Sequence, residues 1–271
     1  MTGIDRKKVK NAFDRHAMEY DLHASVQKRI VSRIAELLRE LPGTPRRVLD
    51  IGSGTGMLLK ELAVIYPAVE LIGLDLASGM CKSARAHLAT HPLARLLTGE
   101  AEALPFGDNV FDLVVSTSTF QWLESLDRTF AEVFRVLTPE GRFVFALFGG
   151  HTLFELRRSY RAAWEMTGQG PEVRTHTFHG ITEVEAALGR AGYTDASVSA
   201  ELEVEHHPDI PALLRSLRRI GAGNAAPAGS RGLAERRVML DMMGIYSREY
   251  SVDGLIPATY EVIYGEAGKG G

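Results

Sequence analysis

Val48-Leu49-Asp50-Ile51-Gly52-Ser53-Gly54-Thr55-Gly56 decides how this chain reads. An apolar run ends on an acid and breaks into three alternating glycines. Such a stretch describes a strand that delivers a nucleotide-like ligand to a tight turn and a helix N-terminus. Glycine allows positive φ and lets the backbone approach the ligand closely. A second apolar run, Leu71-Ile72-Gly73-Leu74-Asp75-Leu76, ends on an acid about 20 residues later, where this kind of fold meets a ribose. A third acid opens Glu100-Ala101-Glu102, behind the apolar Leu93–Leu97, where an adenine amino group needs an acceptor.

Outward from the turn, strand and helix signals alternate. Strands are predicted at Val48–Ile51, Val69–Asp75, Ala94–Thr98, Val110–Ser116 and Arg142–Phe148, with helices at Met57–Tyr66, Gly79–Ala89 and Leu126–Leu137. This βαβ order predicts an α/β fold with a doubly wound, mostly parallel sheet. Ligands of such sheets bind beyond the carboxyl ends of the strands, where the three acids fall. Residues 5–41 read as helical, with Val26, Ile30, Ile34, Leu37 and Leu38 on one face. After the core come a helix over Thr152–Met166, a loop at Gly168–Pro171 and a helix over Ile181–Ala191 ending at Gly192. Ala196–Glu205 alternates polar and apolar, as in a strand exposed on one face, and Thr259–Tyr264 is a second such strand. Between them His207–Pro257 forms an Arg-rich helical insertion, broken at Gly221–Asn224 and Pro227. The division expected is a helical cap (1–45), a core (46–206), an insertion (207–257) and a terminal strand (258–271) with a frayed tail from Gly265. Cap and insertion together read as a lid.

Two details, Asp50 and the acid at a third strand end in Gly99-Glu100-Ala101-Glu102-Ala103-Leu104-Pro105, favour an S-adenosylmethionine site over a dinucleotide site. Asp50 lies inside the first strand, where its carboxylate can address the ligand's ammonium and sulfonium charge, directly or through water. It would repel a pyrophosphate, and Gly54-Thr55-Gly56 closes one residue too early for the dinucleotide pattern. The residues assigned to the cofactor are Asp50, Gly52, Gly54, Gly56, Asp75, Leu76, Glu100, Ala101 and Ser116.

A length of 271 residues suits one large α/β domain with an embellishment. A net charge of -3 supplies no global field to recruit nucleic acid. The single cysteine, Cys81, excludes an intramolecular disulfide, fits a reducing cytosol and reads as small helix filler. No apolar run is long enough to span a bilayer and the charged N-terminus has no signal segment behind it, so no membrane contact and a cytoplasmic location are expected. His206-His207, His176 and His179 lack a Cys partner and the H-E-x-x-H spacing, so no metal is expected.

Residues 46–148 resemble the Rossmann-like S-adenosylmethionine-dependent methyltransferases. Four further signatures carry a narrower likeness. They are Ala12-Phe13-x-Arg15-x-Ala17-x-x-Tyr20-Asp21-x-x-Ala24-x-x-Gln27, Ser118-Thr119-Phe120-Gln121-Trp122, Leu214-Arg215-Ser216-Leu217-Arg218-Arg219-Ile220-Gly221-Ala222, and Ala258-Thr259-Tyr260. With them the whole chain is similar to the malonyl-acyl carrier protein O-methyltransferases of biotin synthesis. Ser53 replaces a frequent Cys, and Glu100-Ala101-Glu102 replaces the commoner Asp-Ile-Glu, which leaves open a shifted adenine acceptor. The resemblance implies methyl transfer to the free carboxylate of a malonyl thioester on acyl carrier protein, with malonyl-coenzyme A as the alternative carrier.

That chemistry asks little of a general base. A malonyl carboxylate, with a pKa of about 4, is already ionised at neutral pH, so the site should hold orienting donors. Arg218 is the first choice, holding one oxygen while the other attacks; Tyr20 and Tyr260 are candidate hydroxyl donors, and Gln121 and Trp122 sit at the mouth of the site. Acyl carrier proteins are acidic, and the clusters Arg157/Arg158/Arg161, Arg215/Arg218/Arg219 and Arg231/Arg236/Arg237 offer possible docking charges. Rival readings are a methyltransferase acting on a quinone precursor or small organic acid, a non-catalytic S-adenosylmethionine-binding protein and, more distantly, an NAD-dependent dehydrogenase.

Overall fold

The structure is a computed structural model that describes residues 6–168, 178–221 and 233–270. Helices α1 (Arg6–His16), α2 (Tyr20–His23) and α3 (Ser25–Glu40) precede strand β1 (Arg47–Ile51). Then follow α4 (Met57–Ile65), β2 (Glu70–Asp75), α5 (Ser78–His87), β3 (Ala94–Thr98), β4 (Phe111–Thr117) and a single 3-10 turn at Phe120–Trp122. The chain continues through α6 (Leu126–Val136), β5 (Leu137–Phe148), α7 (Phe154–Glu165), α8 (Ile181–Ala191) and β6 (Asp195–His207). The last elements are α9 (Ile210–Arg219), α10 (Leu233–Tyr250) and β7 (Ile256–Gly268).

The seven strands lie in the order β3-β2-β1-β4-β5-β7-β6. All neighbours from β3 to β5 are parallel, and β7 runs antiparallel between β5 and β6. Strands covered on both faces send alternate side chains to opposite sides. Val48, Leu71, Val115, Val144 and Ala146 face α3, α4, α7, α9 and α10. Leu49, Ile72, Val114, Phe143 and Phe145 face α6 and α8. On α3 the predicted stripe is buried at Val26, Ile30, Ile34 and Leu38, with Leu37 partly so. The insertion's buried side chains, including Leu213, Leu217, Met242 and Tyr246, complete the first of these faces.

The C-terminal end departs from the sequence reading. Gly265 to Gly268, expected to fray, are paired on both sides within β7. A Cβ built on Gly265 would meet Phe145 Cζ at 2.2 Å, so the bare backbone there makes room for an aromatic ring. Gly265→Ala is expected to cost about 1–3 kcal/mol through overpacking, read as a lower urea midpoint with an unchanged slope.

Strand β6 departs in polarity. Leu202 and Val204 are the exposed side chains (66% and 45%), while Glu203 and Glu205 turn inward. The reason is α3, whose Arg29 and Arg33 pair with Glu203 (2.6 Å) and Glu201 (3.5 Å) and whose Ser25 bonds Glu205. Charge partners set the phase of this edge strand, and apolar burial does not. The expected breaks near 169–171 and 222–227, with His176 and Arg231, lie outside the described residues.

Candidate functional site

The turn after β1 is built as its glycines require. Gly52, Gly54 and Gly56 all have positive φ (72°, 54° and 85°). At Gly52 a Cβ would fall 2.0 Å from Thr119 Oγ1, so the loop following β4 closes directly on the turn. Gly56 starts α4 and packs on Ala84. Asp75, at the end of β2, ties the turn in place: its Oδ2 accepts from the Gly54 amide at 2.9 Å and its Oδ1 from the Ala77 amide at 2.7 Å. Each oxygen keeps a lone pair for a ribose hydroxyl. Burial nevertheless raises the Asp75 pKa to about 6, with the two amides pulling it back down.

Asp50 lies under the turn, 1% exposed, and neither of its carboxylate oxygens has a hydrogen-bond partner. Burial first, and then the Asp75 charge, push its pKa up to about 8. A buried carboxylate without donors is costly unless a cation faces it. This orphaned acid therefore fits a ligand carrying positive charge beside the glycine turn, as S-adenosylmethionine does with its ammonium and sulfonium.

Beyond the turn is a cavity of about 850 Å³, lined by Gly52, Gly54, Asp75, Leu76, Glu100 and Ala101, among others. Six of the nine residues expected to hold a cofactor thus line one cavity. Asp50 and Gly56 stand behind it. Ser116 does not reach the cavity: it is fully buried and its hydroxyl donates to the Ile51 carbonyl at 2.7 Å, joining β4 to β1.

The N-terminal helix closes the outer side of this cavity through Arg6, Val9, Lys10 and Phe13. Three polar ties hold it and the short helix after it. Arg6 pairs with Glu100 at 2.9 Å and with the buried Glu102; Asp14 accepts from the Gly79 amide at 2.7 Å, and Asp21 accepts from the Thr55 hydroxyl at 2.6 Å. The acids expected to face the adenine, Glu100 and Glu102, are therefore occupied in part by Arg6. Sequence reasoning missed that residue because nothing in its spacing links it to Glu102. Arg6→Ala is expected to raise the KM for the cofactor about two- to fivefold, as for an ion pair whose cation is partly exposed. Steady-state kinetics with the cofactor varied would check it.

A second cavity, of about 420 Å³, adjoins the first and shares Phe13, Tyr20, Ser118 and Trp122 with it. Gln121 and Tyr260 also line it, together with Gln27, Thr152 and the apolar Leu153, Phe178, Leu217 and Ile220. Among the described residues no charged side chain lines this cavity. Tyr20 and Ser118 line both cavities and a smaller recess behind the glycine turn. Ser118 has φ of 53°, and both its Oγ and the Gln121 Oε1 are buried without partners. Strained backbone with unsatisfied polar atoms is a common mark of a working site.

Four of the five residues expected around the substrate, Tyr20, Gln121, Trp122 and Tyr260, are thus brought together. Arg218 is not: it is exposed on α9, and its neighbours Leu217 and Ile220 reach the cavity. Burial, then Asp21 and Asp75, raise the Tyr20 pKa far above its ordinary value of 10, so the hydroxyl keeps its proton. Tyr260 is pushed up too, by burial and by Glu205, to which its hydroxyl hydrogen-bonds. That hydroxyl's proton is committed, which makes Tyr20 the better donor of the two. Gln27, the polar residue on the otherwise apolar stripe of α3, was missed; its place on a buried face was the available signal.

Residues 49–145 match the family model described as a methyltransferase domain. The malonyl-acyl carrier protein O-methyltransferase of Geobacter sulfurreducens is 52% identical over 97% of this chain and 98% of its own length. The chain belongs to the malonyl-acyl carrier protein O-methyltransferase family. Among solved structures, the YcgJ protein of Bacillus subtilis superposes with a TM-score of 0.62 at 19% identity, covering 89% of this chain and 99% of that one. The phosphoethanolamine N-methyltransferase 2 of Haemonchus contortus, solved with S-adenosyl-L-methionine, gives 0.57 at 18% identity over 95% of this chain and 57% of its own. These two likenesses show the shared fold of the sheet and its flanking helices. Members of this family are S-adenosylmethionine-dependent methyltransferases. Among the described residues no group of His, Cys, Asp and Glu is arranged to hold a metal, and no helix is long and apolar enough to cross a membrane.

Proposed function

We propose that the protein methylates the free carboxylate of a malonyl group carried on acyl carrier protein, using S-adenosylmethionine. The observation that carries this is the pairing of two unlike cavities: one over an orphaned carboxylate, Asp50, and one lined by neutral polar and apolar side chains. The family's named activity supplies the acceptor.

Bound S-adenosylmethionine would supply a methyl group on a sulfonium, the new O–CH3 bond at the carboxylate forming as the S–CH3 bond breaks and its electron pair stays on sulfur. No proton moves. Asp50 would offer its charge to the cationic end of the donor, Asp75 would accept from the ribose, and Glu100, Ala101 and Leu76 would flank the adenine. On the acceptor side, the neutral lining suits a nucleophile that must keep its charge available. An arginine gripping both oxygens would blunt it, whereas Tyr20 can hold one oxygen by a single hydrogen bond. Leu217, Ile220, Leu153 and Phe178 exclude water around the other. Positioning of this kind can be worth roughly 7–11 kcal/mol.

Mass spectrometry of malonyl-acyl carrier protein incubated with the enzyme and S-adenosylmethionine is expected to show one added methyl group, removable by mild base as an ester is. Binding of the donor with no mass gain on this acceptor would retain the cofactor site and remove the acceptor. The same assay with malonyl-coenzyme A separates the two carriers.

A further inference from the structure

We infer that the acyl carrier protein docks on the face formed by the α1–α2 turn and the outer side of α9, with Met18 and Leu22 as its apolar contacts. The inference rests on the acceptor proposed above. Met18 and Leu22 are 89% and 78% exposed and lie four residues apart. Single exposed apolar side chains are ordinary, but a pair at the rim of a cavity is a different matter.

Between Met18 and Leu22, Tyr20 points inward to line both cavities, so the pair sits on the roof of the acceptor site. The opposite part of that roof is α9. Its Leu217 and the following Ile220 line the acceptor cavity, and Gly221 abuts the Phe13 ring. Arg219 reaches His23, next to Leu22, at 3.3 Å. Arg215 and Arg218 occupy the exposed face of the same helix, and Arg15 is exposed one turn before Met18. An acidic carrier would meet apolar contacts at whose rim Arg15, Arg215, Arg218 and Arg219 outnumber the exposed acids Glu19 and Asp209, the latter paired with Arg215 at 3.9 Å, beside the acceptor cavity.

Two other exposed apolar surfaces lack this fit. Leu202 and Val204 lie on β6, the edge strand of the sheet, and neither lines the acceptor cavity. Met166 and Leu240 lie at a groove between α7 and α10 that also carries Glu165, Asp241 and Glu249. Of the other arginines, Arg157 is tucked over the Phe178 ring (5.7 Å) and donates to the Gly150 carbonyl, away from any partner. The face between α1 and α9 joins apolar exposure, positive charge and the acceptor cavity.

The test is the pair of dissociation constants of the full-length Met18→Glu/Leu22→Glu variant, measured by calorimetry for malonyl-acyl carrier protein and for S-adenosylhomocysteine. The expected result is at least a tenfold weaker carrier affinity with S-adenosylhomocysteine affinity within twofold of the wild type. Arg215→Glu should weaken the carrier in the same selective way, and Arg236→Glu on α10 should not. Unchanged carrier affinity in the first two variants overturns the assignment, as does a loss that Arg236→Glu shares equally. Equal loss of both ligands in the double variant, together with an unaffected Arg215→Glu, also overturns it, because the pair would then serve the cavity roof. Wild-type protein that does not bind the carrier at all would instead remove the proposed acceptor.

Discussion

Asp50→Asn is expected to weaken S-adenosylmethionine binding by roughly a hundredfold or more, the cost of leaving a buried charge without its partner being about 3–5 kcal/mol. The same substitution should stabilise the cofactor-free protein. Asp50 titrates at about 8 in the fold, against 3.8 for the ordinary group. A carboxyl whose pKa is raised by folding favours the fold at pH values below its unfolded pKa, and that contribution is lost as pH climbs through the folded pKa. Between about pH 4 and 8 the wild-type apo protein therefore loses stability on this account, and the amide variant does not. Thermal melting without ligand should show the variant gaining on the wild type as pH is raised toward 8.

Cofactor affinity should follow the opposite course. The cation needs Asp50 ionised, so wild-type affinity should grow by up to tenfold per pH unit below about 8, as a released proton demands. Asp75, held at about 6, adds to the steepness at the acid end. Above pH 8 the cofactor's own amino group, with an ordinary pKa of about 7.7–8.0, begins to lose its charge and affinity should turn down. Calorimetry across pH 6–9 reads this directly. A wild-type profile as flat as that of the amide variant would show that Asp50 does not face the cation.

Tyr20→Ala is expected to lower kcat by on the order of a hundredfold, because the side chain is the common wall of the two cavities and a displacement of about 1 Å can cost that much. Tyr20→Phe keeps the wall and its edge-on contact with Phe13 (ring centroids 6.2 Å apart) but removes the hydroxyl. A hydrogen bond to a charged group is worth about 1.5–3 kcal/mol, so kcat should fall roughly 10- to 150-fold. Neither variant should change the shape of the pH profile. The acceptor is ionised from about pH 4 upward, and the Tyr20 hydroxyl stays protonated well past neutrality. Single-turnover rates between pH 6 and 9 with saturating cofactor should be level for the wild type. A rise through neutrality that Tyr20→Phe abolishes would make the hydroxyl a proton acceptor and contradict this account.

The parts of the site legible in the sequence are those fixed by local backbone demands. Three glycines at positive φ and an acid closing each of two strands can be read without a partner in view, and they stand where they were expected. What the sequence hid depends on partners far along the chain. On α9 one residue of phase decides whether the cavity is met by Arg218 or by Leu217, a turn of about 100° about the helix axis. The apolar contacts of Ile210, Leu213 and Leu217 with the sheet settle it. The polarity of β6 was misread because its acids answer to arginines on α3, more than a hundred residues earlier. The paired glycines of β7 have little strand propensity, and only the ring of Phe145 on the neighbouring strand explains them. Arg6 and Gln27 belong to the same class, since their roles follow from where the N-terminal helices come to rest.

The ties of Arg6, Asp14 and Asp21 to three separate rims have a consequence for turnover. Spent thioether must leave and fresh sulfonium must enter once per cycle, yet the donor's chamber is roofed by the first helix of the chain. Exchange past that side therefore works against those ties, and loosening one of them should be felt in product release before it is felt in the chemistry.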